Sequence, residues 1–396
     1  MASTWGSLPK ESTLIETRCV QDLAELAKVI EPQQWNALLD RSASACIFLT
    51  WEWLTTWWRR FGAGQRILFF ILRDGKDVVG LAPLMMTPGP TRVTRAFRHL
   101  TFLGQYSDTA PEDLDMIAAP GREPEVARAL VAELVDRRSE QWDLLRLQHV
   151  LKTSPNRAPL IQALAERGIF VREENEEECF NLALPASWEE FFRDRNRNFK
   201  KRWHGTVNRL EREGELKLEV VVPGEPTAAA FAELLRLNRA RWGEEGTSFR
   251  SDSVIAFHQE LCQQIHPRGW VLLALMTVGG KVVAAKYDFV YAGKVWGYQG
   301  GWDPDWEEHR VGDVLFGKCF EWAMAQGLTE YDFLGGASVY KERWSTGRRA
   351  MGDVVGYSPT LRGQALRVLG RGKQELKRRL PPALLDRARA LWRRLQ

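Results

Sequence analysis

Cysteine is scarce in this chain and poorly placed for structural work. Its five residues, Cys19, Cys46, Cys179, Cys262 and Cys319, are odd in number and scattered, with no C-x-x-C pair. That argues against a disulfide framework and against a cysteine-built zinc site. Histidine is scarcer relative to length, with six residues. His204, His258 and His309 fit neither a Ser-His-Asp arrangement nor metal-ligand spacing, so no metal centre is expected. No uninterrupted apolar run approaches the ~20 residues of a membrane span. No basic segment followed by an apolar stretch opens the chain, so no signal peptide is expected and the cytoplasm is the expected compartment.

What is present describes a large globular protein. The 396 residues are long for one domain, and 44% hydrophobic with 27% charged composition suits sizeable buried cores. Seventeen tryptophans are many; they serve as large aromatic cores or as aromatic walls around an acyl or sugar pocket. Helical spacing is read over Asp22–Asp40, with Pro32 near a helix start, and over the aromatic segment that ends at Phe61-Gly62. Asp74-Gly75 and Gly279-Gly280 each sit between apolar runs as hairpin turns. Helix is expected over Glu123–Arg138, Pro159–Arg167, Thr227–Trp242 and Ser253–His266, and as one long basic segment over Trp188–Arg212. The acidic run Glu173–Glu178 reads as a solvated edge or turn. Both halves give helix, hairpin, strand, helix, strand. The expectation is an α/β fold with mixed sheets: one domain over 1–185, a second over 186–360, and a tail over 361–396.

The stretch from Lys294 to Trp344 is the most informative. An aromatic strand over Lys294–Gly300 runs through a polar loop into an amphipathic helix marked by Val311, Leu315, Cys319 and Trp322. Gly327 stops it, and a second strand covers Thr329–Leu334. The unpaired amides and dipole of the helix start favour an anionic group, such as a phosphate, at His309, Arg310, Val311 and Gly312.

Several motifs together carry a family resemblance. They are Phe48-Leu49-Thr50-Trp51-Glu52-Trp53, Leu103-Gly104 with Ser107-Asp108, Arg310-Val311-Gly312, Tyr331-Asp332-Phe333-Leu334-Gly335-Gly336 and Tyr340-Lys341. The set resembles the CelD-like (BioF2-like) branch of the GNAT acyltransferase superfamily, which is related to the FemAB aminoacyltransferases. The resemblance implies a tandem GNAT fold whose strands at 294–300 and 329–334 splay around the pantetheine arm of acyl-CoA. It implies acyl transfer to an amine or hydroxyl, in making a cell-envelope or exopolysaccharide precursor. The usual pyrophosphate loop, Gln/Arg-x-x-Gly-x-Gly/Ala, survives here only as Arg310-x-Gly312, and Asp313 adds a negative charge beside it. The donor therefore stays open between acyl-CoA and the aminoacyl-tRNA used by FemAB relatives. A non-catalytic binding subunit of polysaccharide assembly is a further alternative.

Acyl transfer from a thioester needs a base for the acceptor, a stabilised oxyanion and a proton for the thiolate. In GNAT enzymes a tyrosine on the helix after the second strand often protonates the sulfur, which singles out Tyr340; its alternative is a packing ring. Lys341 offers a charge for a phosphate or oxyanion. Asp288 and Asp303 are the base candidates. Trp302 and Asp108 are assigned to substrate binding. Arg195 and Arg202 are assigned likewise, on a basic segment whose arginines at 195, 202 and 209 share a helical face. Those arginines either clamp phosphates of a nucleotide-linked or lipid-linked acceptor, or of tRNA, or form a solvated face.

From Leu361 to Gln396, eleven basic residues oppose two acidic ones, a balance of +9 where the whole chain carries +4. After Pro381-Pro382, Leu384, Ala388, Leu391 and Leu395 recur at helical spacing, with Leu385 and Trp392 alongside. A basic helix with that apolar face suits an anionic membrane surface at the inner face, or packs against the body of the protein. Nucleic acid is a weaker reading, since no base-reading motif accompanies the charge.

Overall fold

The computed structural model describes residues 15–379 apart from 93, 106–107, 244–248 and 337, with backbone alone for 371–379. Both expected hairpins form. Arg66–Asp74 pairs with Asp77–Pro88, and Val271–Val278 pairs with Lys281–Tyr291. Gly75 at the first turn has φ +59°, a conformation that glycine adopts without strain. The strand Lys281–Tyr291 then folds back through Ala292-Gly293 onto Lys294–Trp302.

The aromatic segment becomes helix Trp51–Phe61, started by Thr50, whose side chain accepts from the Trp53 N–H. It buries Trp53 and Trp57. Two expected helices are each divided. Leu23–Val29 and Pro32–Arg41 replace one helix over 22–40, with Pro32 opening the second. Trp188–Arg193 and Arg197–Glu213 replace the long basic helix. Asn196 is the cause of the second break: its side chain accepts from the Phe199 N–H at 2.9 Å and starts a new helix.

The sheets of the two halves are continuous. Among the described residues, one 13-stranded sheet runs in the order Glu16–Val20, Arg66–Asp74, Asp77–Pro88, Arg98–Phe102, Leu144–Leu151, Gly347–Tyr357, Val171–Ala183, Glu330–Gly335, Lys294–Trp302, Lys281–Tyr291, Val271–Val278, Leu216–Val220; Ile117–Ala118 pairs off this path with Asp77–Pro88. The halves exchange strands at the centre. Val171–Ala183 pairs with Glu330–Gly335 of the C-terminal half. Gly347–Tyr357 returns to pair with Leu144–Leu151 of the N-terminal half. Each half contains one parallel step: Arg98–Phe102 beside Leu144–Leu151, and Lys294–Trp302 beside Glu330–Gly335.

The acidic run 173–178 is a correction to the sequence reading. It lies within the central strand Val171–Ala183, antiparallel to Gly347–Tyr357, rather than at an edge or turn. Basic partners make that placement tolerable. Glu173 is bound by Arg157 at 2.6 Å, Glu174 by Arg146 at 2.8 Å and Arg172 at 2.5 Å, and Glu178 by Arg348 at 3.1 Å.

One core links the halves, with Phe48 and Trp53 of the N-terminal half packed against Phe289, Trp296 and Phe257 of the C-terminal half. A second core lies beneath helix Val311–Ala325 and includes Trp203, Phe320, Tyr331 and Trp344.

Candidate active site

Lys294–Trp302 and Glu330–Gly335 pair only at Lys294–Glu330, Val295–Tyr331 and Trp296–Asp332. Beyond Trp296 the two strands part, and a cleft opens between their arms. It consists of three adjoining cavities of about 180, 240 and 200 Å³. Gly297, Tyr298 and Gln299 line it from one arm, Phe333, Leu334 and Gly335 from the other. Tyr340 and Phe316 line all three cavities, and their rings stack at 5.1 Å.

Helix Val311–Ala325 starts at one end of this cleft, against Trp302. Arg310 takes a left-handed conformation at the helix start and its carbonyl accepts from the Asp313 N–H, while the Val311 and Gly312 amides make no backbone hydrogen bond among the described residues. Gly312 is required by packing. A Cβ there would come within 2.6 Å of the Trp302 ring. Asp313 does not face an incoming anion uncompensated, because Arg343 binds both of its oxygens at 2.9 Å and Arg310 approaches at 3.1 Å.

Arg241 sits at the same end and was not singled out in the sequence. Its guanidinium lies over Trp302 at 3.2 Å and Trp242 at 3.9 Å from the ring centroids. Burial lowers its pKa to about 10. A guanidinium held between two indoles without a carboxylate partner among the described residues is available to a phosphate. The free amides, the opening between the strands and Arg241 together fit the phosphates and extended arm of an acyl-CoA.

At the inner end, Tyr340 and Lys341 both line the cleft. Lys341 is buried, and its ammonium donates to the Leu334 carbonyl at 3.2 Å and to the Gly335 carbonyl. Burial pushes its pKa down. Glu112 joins them from the N-terminal half, the second residue that sequence reasoning missed. Its carboxylate accepts from the Gly335 N–H. Gly335 permits that approach, since a Cβ there would meet the carboxylate oxygens at 3.0 and 3.1 Å. Burial drives the Glu112 pKa up to about 7, against the opposing pull of the Gly335 N–H.

The other residues named from sequence are placed as follows. Asp288 is buried beneath the cleft, with its oxygens taken by Lys286 at 2.8 Å, the Tyr298 N–H at 2.7 Å and the Tyr331 hydroxyl at 2.6 Å. Burial raises its pKa. Asp303 is bound by Lys281 at 2.8 Å, which lowers its pKa, and caps the turn Pro304–His309. Neither carboxylate lines the cleft. Asp332 meets Arg349. His309 faces Glu213 at 3.6 Å, and Val311 is buried in the core. Arg195 is packed over Phe191 at 4.3 Å, and Arg202 lies over Phe199 at 5.7 Å. Both arginines lie away from the cleft-lining set. Asp108 is bound to Arg250.

The N-terminal half has the counterpart of this opening, but it is bridged. Arg98–Phe102 and Leu144–Leu151 pair only at His99–Leu144 and Leu100–Leu145. Past that point the Gln105 side chain donates to the Arg146 carbonyl at 3.1 Å and accepts from the Gln148 N–H at 3.0 Å. One side-chain amide thus takes the backbone positions that a ligand between parted strands would use.

Residues 197–342 match the family model described as an acetyltransferase (GNAT) domain. No curated protein matches the sequence. Among solved structures, FemX superposes with a TM-score of 0.60 over 86% of this chain and 98% of its own, at 12% identity. The C-terminal (DUF2156) domain of a putative lysylphosphatidylglycerol synthetase from Agrobacterium fabrum gives 0.49 over 85% and 93%, at 11% identity. A tandem GNAT protein from the clavulanic acid biosynthesis pathway gives 0.46 over 87% and 99%, at 11% identity. The domain match makes residues 197–342 a GNAT-type acetyltransferase domain, in a chain that shares its fold with FemX along most of its length.

Proposed function

We propose that the protein transfers an acyl group from acyl-CoA to an amine or hydroxyl of a cell-envelope or exopolysaccharide precursor, as a CelD-like branch member. The observation that carries this reading is the continuity of the cleft. One opening runs from the free amides of Val311 and Gly312 to the Tyr340–Lys341–Glu112 cluster. Donor phosphates would rest on those amides with Arg241 and Arg310, and the arm would pass between the strands.

At the inner end Glu112 takes the proton of the acceptor amine or hydroxyl as it attacks the thioester carbonyl. The new C–N or C–O bond forms, the C–S bond breaks, and the Tyr340 hydroxyl gives its proton to the departing thiolate. Lys341 fixes the Leu334–Gly335 turn whose N–H orients Glu112, and lends positive charge to the developing oxyanion. Asp288 has a supporting role through Tyr298 and Tyr331, which leaves Glu112 as the base.

An aminoacyl-tRNA donor is the second reading, favoured by the partial Arg310-x-Gly312 loop. Titration calorimetry decides between them. Acetyl-CoA should bind, and Arg241→Ala should weaken it about tenfold or more. Absence of acetyl-CoA binding, with protection by aminoacyl-tRNA, would refute the CoA assignment.

Membrane contact also belongs to this reading. No described helix is long and apolar enough to cross a membrane. Helix Leu361–Arg379 leaves Leu361, Val368 and Leu369 exposed, and at that spacing they share one face. This apolar ridge within a strongly basic segment would hold the enzyme at an anionic inner-membrane surface, near a lipid-linked acceptor. The leucine repeat from Leu384 onward lies outside the described residues.

A further inference from the structure

A cavity of about 560 Å³ lies in the N-terminal half. It is larger than any of the three that form the cleft and shares no lining residue with them. Its size falls within the ~300–1,000 Å³ of small-molecule sites. His99, Leu144, Arg146, Tyr357 and Arg172 line it from four neighbouring strands of the sheet, and helix Leu361–Arg379 adds Leu366 and Gly370. Most of the polar groups here are already matched. Glu174 is bound by Arg146 at 2.8 Å and by Arg172 at 2.5 Å, and Glu173 by Arg157 at 2.6 Å. The Tyr357 hydroxyl accepts from Arg172 at 2.5 Å. The charged lining is balanced, with Arg146 and Arg172 against Glu173 and Glu174.

His99 is the exception. It is 3% exposed, and neither of its ring nitrogens has a hydrogen-bond partner among the described residues. Thr87, its neighbour across the paired strands, does not supply one, since the Thr87 hydroxyl is itself buried and unpartnered. Arg146 Nε is a further buried donor without an acceptor. Burial, with Arg146 nearby, lowers the His99 pKa to about 4, so the ring is neutral near pH 7. A neutral imidazole offers one N–H and one lone pair in either tautomer. Leaving both unpaired in a buried setting is costly.

The ring therefore calls for a partner that both donates and accepts, as a hydroxyl does. An anion would meet Glu173, Glu174 and the imidazole lone pair. A cation would meet Arg146 and Arg172. A neutral ring carrying several hydroxyls meets neither obstacle, and Leu144 and Leu366 offer apolar surface to its C–H groups.

We propose that this cavity binds a neutral sugar residue, with His99 as the side chain that holds its hydroxyls. The site is separate from the cleft, so it stands whether or not the cleft binds acyl-CoA. The sugar arrives either free or as one unit of a glycan chain.

The test uses the full chain with methyl glucoside, maltotriose and inorganic phosphate as probes. Saturation-transfer NMR reads affinity, and ¹⁵N spectra of the histidine rings read the site itself. Methyl glucoside should bind and move the one ring signal that disappears in His99→Phe. That variant keeps a flat ring but removes both nitrogens, and should weaken the sugar about tenfold or more. His99→Gln, which keeps a donor and an acceptor, should recover most of the loss. Pro90→Trp, at an exposed position on the lining, should obstruct the sugar without touching the core. Acetyl-CoA affinity should be the same in all three variants. Tighter binding of maltotriose than of methyl glucoside would identify a glycan chain as the source; equal or weaker binding would identify the free sugar. No saturation transfer to either sugar, an unmoved His99 signal, or phosphate displacing the sugar would overturn the proposal. So would unchanged sugar affinity in His99→Phe or, should that variant not fold, in Pro90→Trp.

Discussion

Replacing Glu112 by glutamine should have opposite effects on catalysis and on the pH dependence of stability. Glutamine keeps the shape and can still accept from the Gly335 N–H, but it cannot take a proton. General-base catalysis contributes about 10²–10⁴-fold to rate, so kcat should fall by that range with little change in the KM for acyl-CoA. The pH profile gives the sharper test. With Glu112 at about 7, kcat/KM of the unsubstituted enzyme should rise about tenfold per pH unit below 7 and level off above it. The variant should lose that limb.

Stability follows the same proton with the opposite sign. The folded pKa of about 7 lies above the ordinary 4.5, so the folded state holds the proton more tightly. Its contribution is fully present below pH 4.5 and is lost as pH rises through 7. Between pH 5 and 8 the unsubstituted protein should lose about 2–3 kcal/mol that the variant keeps. Denaturant unfolding at the two pH values reads this without any acceptor, and thiol release from acetyl-CoA reads the rate. A variant with unchanged kcat, the same pH limb and the same pH dependence of unfolding would refute the assignment of Glu112 as base.

Four further outcomes are expected. Tyr340→Phe should lower kcat more than it raises KM, because a proton donor acts in the transition state; unchanged constants would make Tyr340 a packing residue beside Phe316. Gly312→Asp should abolish acetyl-CoA binding in calorimetry, since both the side chain and its charge enter the space before Trp302; equal affinities would contradict the helix-end site. Acetyl-CoA should bind with a stoichiometry of one, because Gln105 bridges the second opening; two equivalent sites would contradict that reading. Finally, the full chain should co-sediment with anionic but not neutral liposomes, weakened by salt and lost on deletion after Thr360. No binding to anionic vesicles at low salt would exclude attachment through this segment.

The sequence made local features legible. Asp74-Gly75, Gly279-Gly280 and Gly312 at a helix start act within a few residues of themselves, so spacing and turn chemistry reveal them. The Tyr340–Lys341 pair was reached through the family resemblance, which implies a proton-donating tyrosine on the helix after the second strand. Glu112 and Arg241 were not legible. Glu112 is a loop residue among three nearby acids, and its environment depends on Gly335, more than two hundred positions later. Arg241 ends a helix as many arginines do, and only Trp302 across the cleft distinguishes it. The acidic run 173–178 misled for the same reason: Arg146, Arg157 and Arg348, which make it tolerable inside a sheet, are remote in sequence. Asp288 was read as a base candidate, but the alternation of its strand could not reveal that Lys286, Tyr298 and Tyr331 would converge on it.

The position of Gly347–Tyr357 bears on how the chain is made. This strand lies between Leu144–Leu151 and Val171–Ala183, yet the ribosome delivers it roughly 160 to 200 residues after its neighbours. Until it arrives, two long strands of the first half have unpaired backbone edges facing one another, open to contacts with other nascent chains. Synthesis of the first half therefore cannot complete its sheet. A fragment ending near residue 185 should aggregate, and supplying the second half as a separate polypeptide should rescue it. The last strand acts as a clasp, so a prematurely terminated product would be left open for proteolysis and would not persist as a half-enzyme.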